Sequence, residues 1–145
     1  MDETGKIIGK NIGILCRQLN VFLNRELASY DVSASEIMYL GVLFVKDGMR
    51  QEELAAEFSV DKAAVTRAVG NLEDKGLVIR RSVEGDKRAK EVYLTSEAMR
   101  YKDVLLGIQE KWFEKVFDGT DAETCKQFSV VLENLAVRTR KINEN

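Results

Sequence analysis

Lys62, Ala63, Thr66 and Arg67 fall on one side of a predicted helix, opposite the apolar row Val65, Val69 and Leu72. Their chemistry is that of a base reader. Lys62 can reach a phosphate or a guanine, and Ala63 allows close approach and can touch a thymine methyl. Thr66 can bond a base or a phosphate, and Arg67 can fork onto guanine O6 and N7. Gly70 keeps the same side slim enough to enter a groove. Gln51, at the start of the preceding predicted helix, is placed to bond a phosphate. A second set follows between Arg80 and Lys90, where five cations (Arg80, Arg81, Lys87, Arg88, Lys90) meet two carboxylates (Glu84, Asp86), a local charge of +3. Arg88 is the candidate probe for a minor groove, whose narrow A/T-rich stretches concentrate negative potential. Asp86 would hold its guanidinium or cap the tip turn, and Arg81, Lys87 and Lys90 would meet phosphates. Arg80 and Arg81 alternate across a strand, so one should turn inward to an ion pair, and the sequence leaves open which.

Other chemistry is missing. The 145 residues contain no histidine, which removes the commonest general base, the commonest metal ligand and every Ser-His or Cys-His pair. There is no phosphate-cradling glycine loop and no paired metal-ligand spacing. The expectation is a protein that is not an enzyme, with no catalytic residue, no metal and no cofactor.

The two sets sit within Gln51 to Thr95, which reads as two short helices joined by a tight turn and followed by a basic hairpin. The first helix covers about Gln51 to Phe58, with Leu54, Ala55 and Phe58 inward. Ser59-Val60 makes the turn, and Asp61 can cap the next helix, which runs from Lys62 to about Lys75. Gly76 supplies the left-handed residue that ends it. Leu77 to Val83 is one strand, Glu84 to Arg88 the charged tip, and Glu91 to Leu94 the return strand. That layout is a winged helix-turn-helix, a module that puts one helix into the DNA major groove.

Long amphipathic helices flank it. Before it, about Thr4 to Tyr30 carries Ile8, Ile12, Leu15, Leu19 and Phe22 as one stripe. Such a helix would be about 40 Å long, too long for a small domain to cover, so part of the stripe should meet another chain. Ser33 with Glu36 forms a capping box, opening a helix whose Ile37, Leu40, Val42, Leu43 and Phe44 are apolar nearly all round and should be buried. After it, Thr95 or Ser96 caps a helix to about Phe117. Thr120 with Glu123 then opens a last helix whose Cys125, Phe128, Leu132, Leu135, Thr139 and Ile142 form a seam of coiled-coil type. The fold class expected is mainly α with a small β-hairpin wing. It would be a single domain over 1–145, with 31–95 as the winged helix-turn-helix and 1–30 with 96–145 as a helical dimerisation region.

The formal net charge is −2, so any nucleic-acid affinity must come from where the positive charges sit. No apolar run is long enough to span a membrane and the start lacks a secretory pattern, so the expected location is the cytoplasm. Cys16 and Cys125 lie far apart and suggest no disulfide.

The stretch Leu72 to Thr95 resembles the multiple antibiotic resistance regulator (MarR) family. The residues that carry the resemblance are Leu72-Glu73, Gly76-Leu77-Val78, Arg80-Arg81, Asp86-Lys87-Arg88 and Val92-Tyr93-Leu94-Thr95. Ala98 departs from it, because the family often has Gly there. The resemblance implies a homodimer whose outer helices intertwine and whose two winged regions read a pseudo-palindromic operator on double-stranded DNA. It also implies, in most members, a repressor released by a small anionic or phenolic effector or by thiol oxidation.

Two other readings stand beside a ligand-released repressor. One is a redox-sensing regulator acting through Cys16, although a small buried helix residue is the plainer account of that position. The other is a winged-helix module that binds protein, since the block 46–95 carries as many acids as bases. Trp112 and Phe113 could line an effector cleft, or simply pack.

Overall fold

The computed structural model describes residues 2–143. The chain forms two compact units, one through Trp112 and one from Phe113.

The first unit opens with α1 (Glu3–Leu27), capped by Asp2, which accepts from the Gly5 N–H. A 3-10 turn, Ala28–Tyr30, ends on Asp31 in the left-handed region. The stripe of α1 divides along its length. Ile8, Ile12 and Leu15 stand exposed, Leu19 and Phe22 are partly buried against the core, and Leu23 and Leu27 are buried. Cys16, expected to be buried, is exposed in this chain, with its Sγ 3.9 Å from Asn20 Nδ2. The helix has no core beneath that stretch, so a small residue there has nothing to be buried in.

Helix α2 (Ala34–Val45) starts as its sequence dictates. The Glu36 N–H donates to Ser33 Oγ, and the Ser33 N–H donates to Glu36 Oε2. Ile37, Tyr39, Leu40 and Leu43 are buried, but Met38 and Val45 are exposed, so the helix is covered on one side rather than all round. Glu36 is itself buried, and its carboxylate accepts from Lys75 Nζ at 2.8 Å. That bond ties the start of α2 to the residue that ends α4 (Lys62–Asp74).

The turn Lys46-Asp47-Gly48 leads into a two-residue strand, β1 (Met49–Arg50), which the sequence pattern did not signal. Gly48 adopts φ +73°, and a Cβ there would lie 2.7 Å from Tyr93 Cε1, so this turn has room only for glycine. Helix α3 (Gln51–Phe58) and α4 are joined by Ser59 in the left-handed conformation. Asp61 caps α4 by accepting from the Ala64 N–H at 2.6 Å. Leu54, Val65, Val69 and Leu72 are fully buried between the two helices and α2. Gly76, at φ +73°, ends the second helix and admits the strand.

The sheet is antiparallel in the order β1-β3-β2, with β2 spanning Val78–Val83 and β3 spanning Asp86–Leu94. The expected five-residue tip is shorter. Val83 pairs with Asp86, leaving Glu84-Gly85 as the loop. The register then shifts between Val83 and Ser82, which pairs with Lys90. Lys87, Arg88 and Ala89 therefore form a bulge, and a bulge re-aims the side chains it carries. Charged residues read as turn in the sequence because their backbone, and not their composition, is what continues the strand.

Helix α5 (Ser96–Val116) starts at Thr95, whose Oγ1 accepts from the Ala98 N–H and donates to the Gly76 carbonyl. Leu105 and Ile108 are buried, and Lys111 bonds Glu26 of α1. No helix of the described residues is long and apolar enough to cross a membrane.

The second unit consists of the end of α5, the break at Asp118-Gly119 and α6 (Ala122–Asn143). The cap of α6 is Asp121, which accepts from the Thr124 N–H at 2.9 Å, and not the expected Thr120. A carboxylate at the N-cap accepts more strongly than a hydroxyl one residue earlier. Phe113 stacks on Phe117, whose ring lies 6.0 Å from that of Phe128. Phe128, Leu132, Leu135 and Ile142 remain exposed along α6.

Candidate nucleic-acid interface

The inner row of α4 is buried, so its outer row is fixed by helical geometry. Lys62, Ala63, Thr66 and Arg67 are all exposed. Among the described residues, the Lys62 and Arg67 side chains carry no hydrogen bond and no ion pair. Gly70 is half-buried, and a Cβ there would make only an ordinary contact, 4.0 Å from Arg80 Nη2.

Arg80 is the arginine that turns inward. Its guanidinium holds Glu73 Oε1 through Nη2 at 2.9 Å and Nε at 3.3 Å, and its backbone N–H donates to Glu73 Oε2. This forked contact ties β2 to the last turn of α4. Arg81 is exposed and lies over the Tyr93 ring, 4.9 Å from its centroid. The Tyr93 hydroxyl donates to Glu91, which pushes its pKa up.

Arg80 holds the Glu73 carboxyl below the usual carboxylate range, first through the side-chain hydrogen bond, then through its backbone N–H. A depressed folded-state pKa adds stability above the unfolded value of about 4.3, which is lost as pH falls through the folded value. Glu73→Gln mimics the protonated acid. The melting temperature of the native protein should therefore exceed that of Glu73→Gln at neutral pH, with the gap closing below pH of about 4. A gap of constant size from pH 7 to pH 3 would contradict the coupling.

At the wing, Asp86 Oδ1 accepts from the backbone N–H of Arg88 at 3.0 Å. Of the two roles expected for Asp86, the structure shows it capping the turn of the bulge. Lys87 and Arg88 are exposed, with no side-chain partner among the described residues, while Lys90 Nζ donates to Ser82 Oγ. Wing and helix-turn-helix meet around a shallow depression of about 70 Å³, lined by Lys62, Arg88 and Lys90, by Gln51 and Asp86, and by Arg50 with its ion-pair partner Glu52. The fold thus gathers the basic residues that lie some 25 positions apart in the chain.

Gln51 is where the structure departs from the reading of the residues. It is only 7 % exposed and faces Thr66, with Nε2 3.4 Å from Thr66 Oγ1. Its Oε1 is enclosed with no partner among the described residues. The Nε2 group, the part of the side chain that could donate to a phosphate, is turned to Thr66 instead, so the side chain braces the site from within. A buried glutamine at a helix start gives no sequence signal that separates it from an exposed one. Arg50, which the sequence reading passed over, is exposed beside it.

Known proteins share this fold. The sequence profile of the MarR family matches residues 30–89. An uncharacterized HTH-type transcriptional regulator of Bacillus subtilis (strain 168), YybA, is 25% identical over 126 residues, covering 87% of this chain and 84% of the relative. The crystal structure of a MarR transcriptional regulator from Methanosarcina mazei Go1 superposes with a TM-score of 0.86 at 28% identity, over 94% of this chain and 99% of that one. A MarR family regulator from Listeria monocytogenes, crystallised with a 26mer DNA, gives a TM-score of 0.86 at 20% identity, over 91% and 88% of the two chains, a likeness of fold. The profile falls on the stretch that builds the helix-turn-helix and the first part of the wing, and the structural likeness extends over nearly the whole chain. Residues 30–89 of this protein thus match the MarR family, and the chain as a whole has the MarR-like winged helix-turn-helix fold.

Proposed function

We propose that the chain works as a homodimer that represses transcription by reading a pseudo-palindromic operator, and that a small anionic or phenolic molecule releases it. The observation that carries the DNA-reading part is the division of the cations. Lys75 and Arg80 are held by Glu36 and Glu73, whereas Lys62, Arg67, Lys87 and Arg88 are exposed on the helix and the wing without protein partners among the described residues. Cations left unpaired on one face are what a phosphate backbone neutralises. In this reading α4 lies in the major groove, with Arg67 on guanine and Ala63 against a base methyl. Arg88 enters the minor groove, and Lys62, Arg81, Lys87 and Lys90 meet phosphates.

Residues 31–95 form the DNA-binding region and 1–30 with 96–145 the pairing region. Support for pairing comes from the exposed apolar residues Ile8 and Ile12 on α1 and Leu132 and Leu135 on α6, which need cover in water. The Listeria relative's DNA complex supports the same use of the shared fold. The resemblance to the family implies that the protein works in the cytoplasm. Release by an effector is what the resemblance to the family implies, and titrating simple phenols and aromatic carboxylates into the DNA complex should lower its fluorescence anisotropy.

The wing is tested by Arg88→Ala. Its exposed side chain has no folding role, so melting temperature and oligomeric state should stay the same, while affinity for a duplex enriched from a randomised library falls roughly tenfold. Unchanged affinity would remove the minor-groove role.

A further inference from the structure

The hydroxyl of Thr66 is already occupied inside the protein. Oγ1 donates to the Lys62 carbonyl one turn back, at 2.9 Å. A hydroxyl has one proton, so Oγ1 can only accept from Gln51, and the Gln51 amide must turn its NH2 toward it. That contact is 3.4 Å, at the long end for a hydrogen bond. The orientation leaves Gln51 Oε1 buried without a partner among the described residues, a costly placement that a leucine at the same point would avoid. A glutamine kept under that penalty serves the one bond it makes. Thr66 as a whole is exposed, yet its hydroxyl faces a buried amide and its own helix backbone. With the hydroxyl so engaged, the γ-methyl is the group of Thr66 free to face outward. Ala63, three residues earlier on the same face, adds a second methyl.

We infer that Thr66 reads the 5-methyl group of a thymine by apolar contact, not a base or phosphate by hydrogen bond, and that Gln51 is the positioning residue that holds it so. This rests on the reading of α4 as the base-reading helix. The thymine methyl is the apolar feature of the major groove, and two adjacent side-chain methyls form a surface that fits it. Removing such a contact costs about the burial of one methyl group, a factor of about four in affinity per half-site.

The test uses the full-length protein and a duplex enriched from a randomised library. Each thymine is replaced in turn by deoxyuridine, which removes only the methyl. In the wild type, one thymine per half-site should lose about fourfold on this change. Thr66→Val keeps the methyl and should keep that sensitivity, and Thr66→Ser keeps the hydroxyl and should lose it at that position alone. Gln51→Leu removes one of the two bonds that fix the Thr66 rotamer, leaving the one to the Lys62 carbonyl, and should blunt the sensitivity, an effect that mere loss of stability would not produce. A Thr66→Ser protein that still distinguishes thymine from uridine at every position would overturn the methyl contact, and undiminished sensitivity in Gln51→Leu would overturn the positioning role. If the variants fail to fold, the wild-type scan still decides, because a motif with no uridine-sensitive thymine refutes the inference. No enriched sequence at all would instead refute the DNA-reading role beneath it.

Discussion

Arg67→Ala weakens binding to the enriched duplex by roughly thirtyfold or more. A forked Arg–guanine contact is worth about 1–3 kcal/mol of discrimination, and a dimer on two half-sites loses it twice. Arg67 is exposed and has no hydrogen bond or ion pair among the described residues, so the melting temperature should barely move. Arg67→Lys separates charge from geometry. Lysine keeps the charge but cannot fork, so affinity for unrelated DNA should persist while preference for the enriched sequence falls. Gel-shift competition against scrambled duplex measures both. Equal discrimination in the wild type and in Arg67→Lys would mean that Arg67 meets only phosphates.

Leu132→Glu combined with Leu135→Glu on α6 abolishes the dimer. Both leucines are about 40% exposed in the single chain, at 43% and 39%, so each has surface still to bury. Across a two-fold interface the pair of substitutions touches four side chains, and the lost burial alone raises the dimer dissociation constant roughly a thousandfold. Carboxylates placed in an apolar contact add to that. Sedimentation at micromolar concentration should find a monomer or a partly melted chain, and operator binding should be lost with the dimer. A variant that sediments as the wild-type dimer would show that the α6 seam pairs with nothing.

What could be read ahead of the structure was local. The capping box of Ser33 and Glu36, the Asp61 cap and the bounds of α3 all follow from side chains bonding backbone a fixed three residues away or from apolar spacing over two turns. Features set by distant partners were not legible. Which of Arg80 and Arg81 turns inward depends on Glu73, seven residues before Arg80 and on another element. The bulge at Lys87 to Ala89 depends on pairing register, which composition does not encode. Strand β1 is two residues long, too short for any period to show. Of the candidate site, the exposed row on α4 and the wing cations followed from helical and strand geometry. The inward turn of Gln51 and the occupied hydroxyl of Thr66 did not, because they depend on a contact between α3 and α4. Cys16 is exposed in the single chain, and burial on a helix without a core beneath it is decided by whatever chain lies alongside.

The most direct test of the account is fluorescence anisotropy of the wild-type protein against the enriched inverted repeat and a scrambled duplex, repeated over a range of salt concentrations. The account predicts one dimer per repeat. It also predicts affinity for the repeat well above that for scrambled DNA, and a log–log salt slope near −0.9 for each phosphate neutralised, with several contacts per dimer. Weak binding that ignores sequence, or a slope near zero, would contradict it and point to a wing that serves a protein partner.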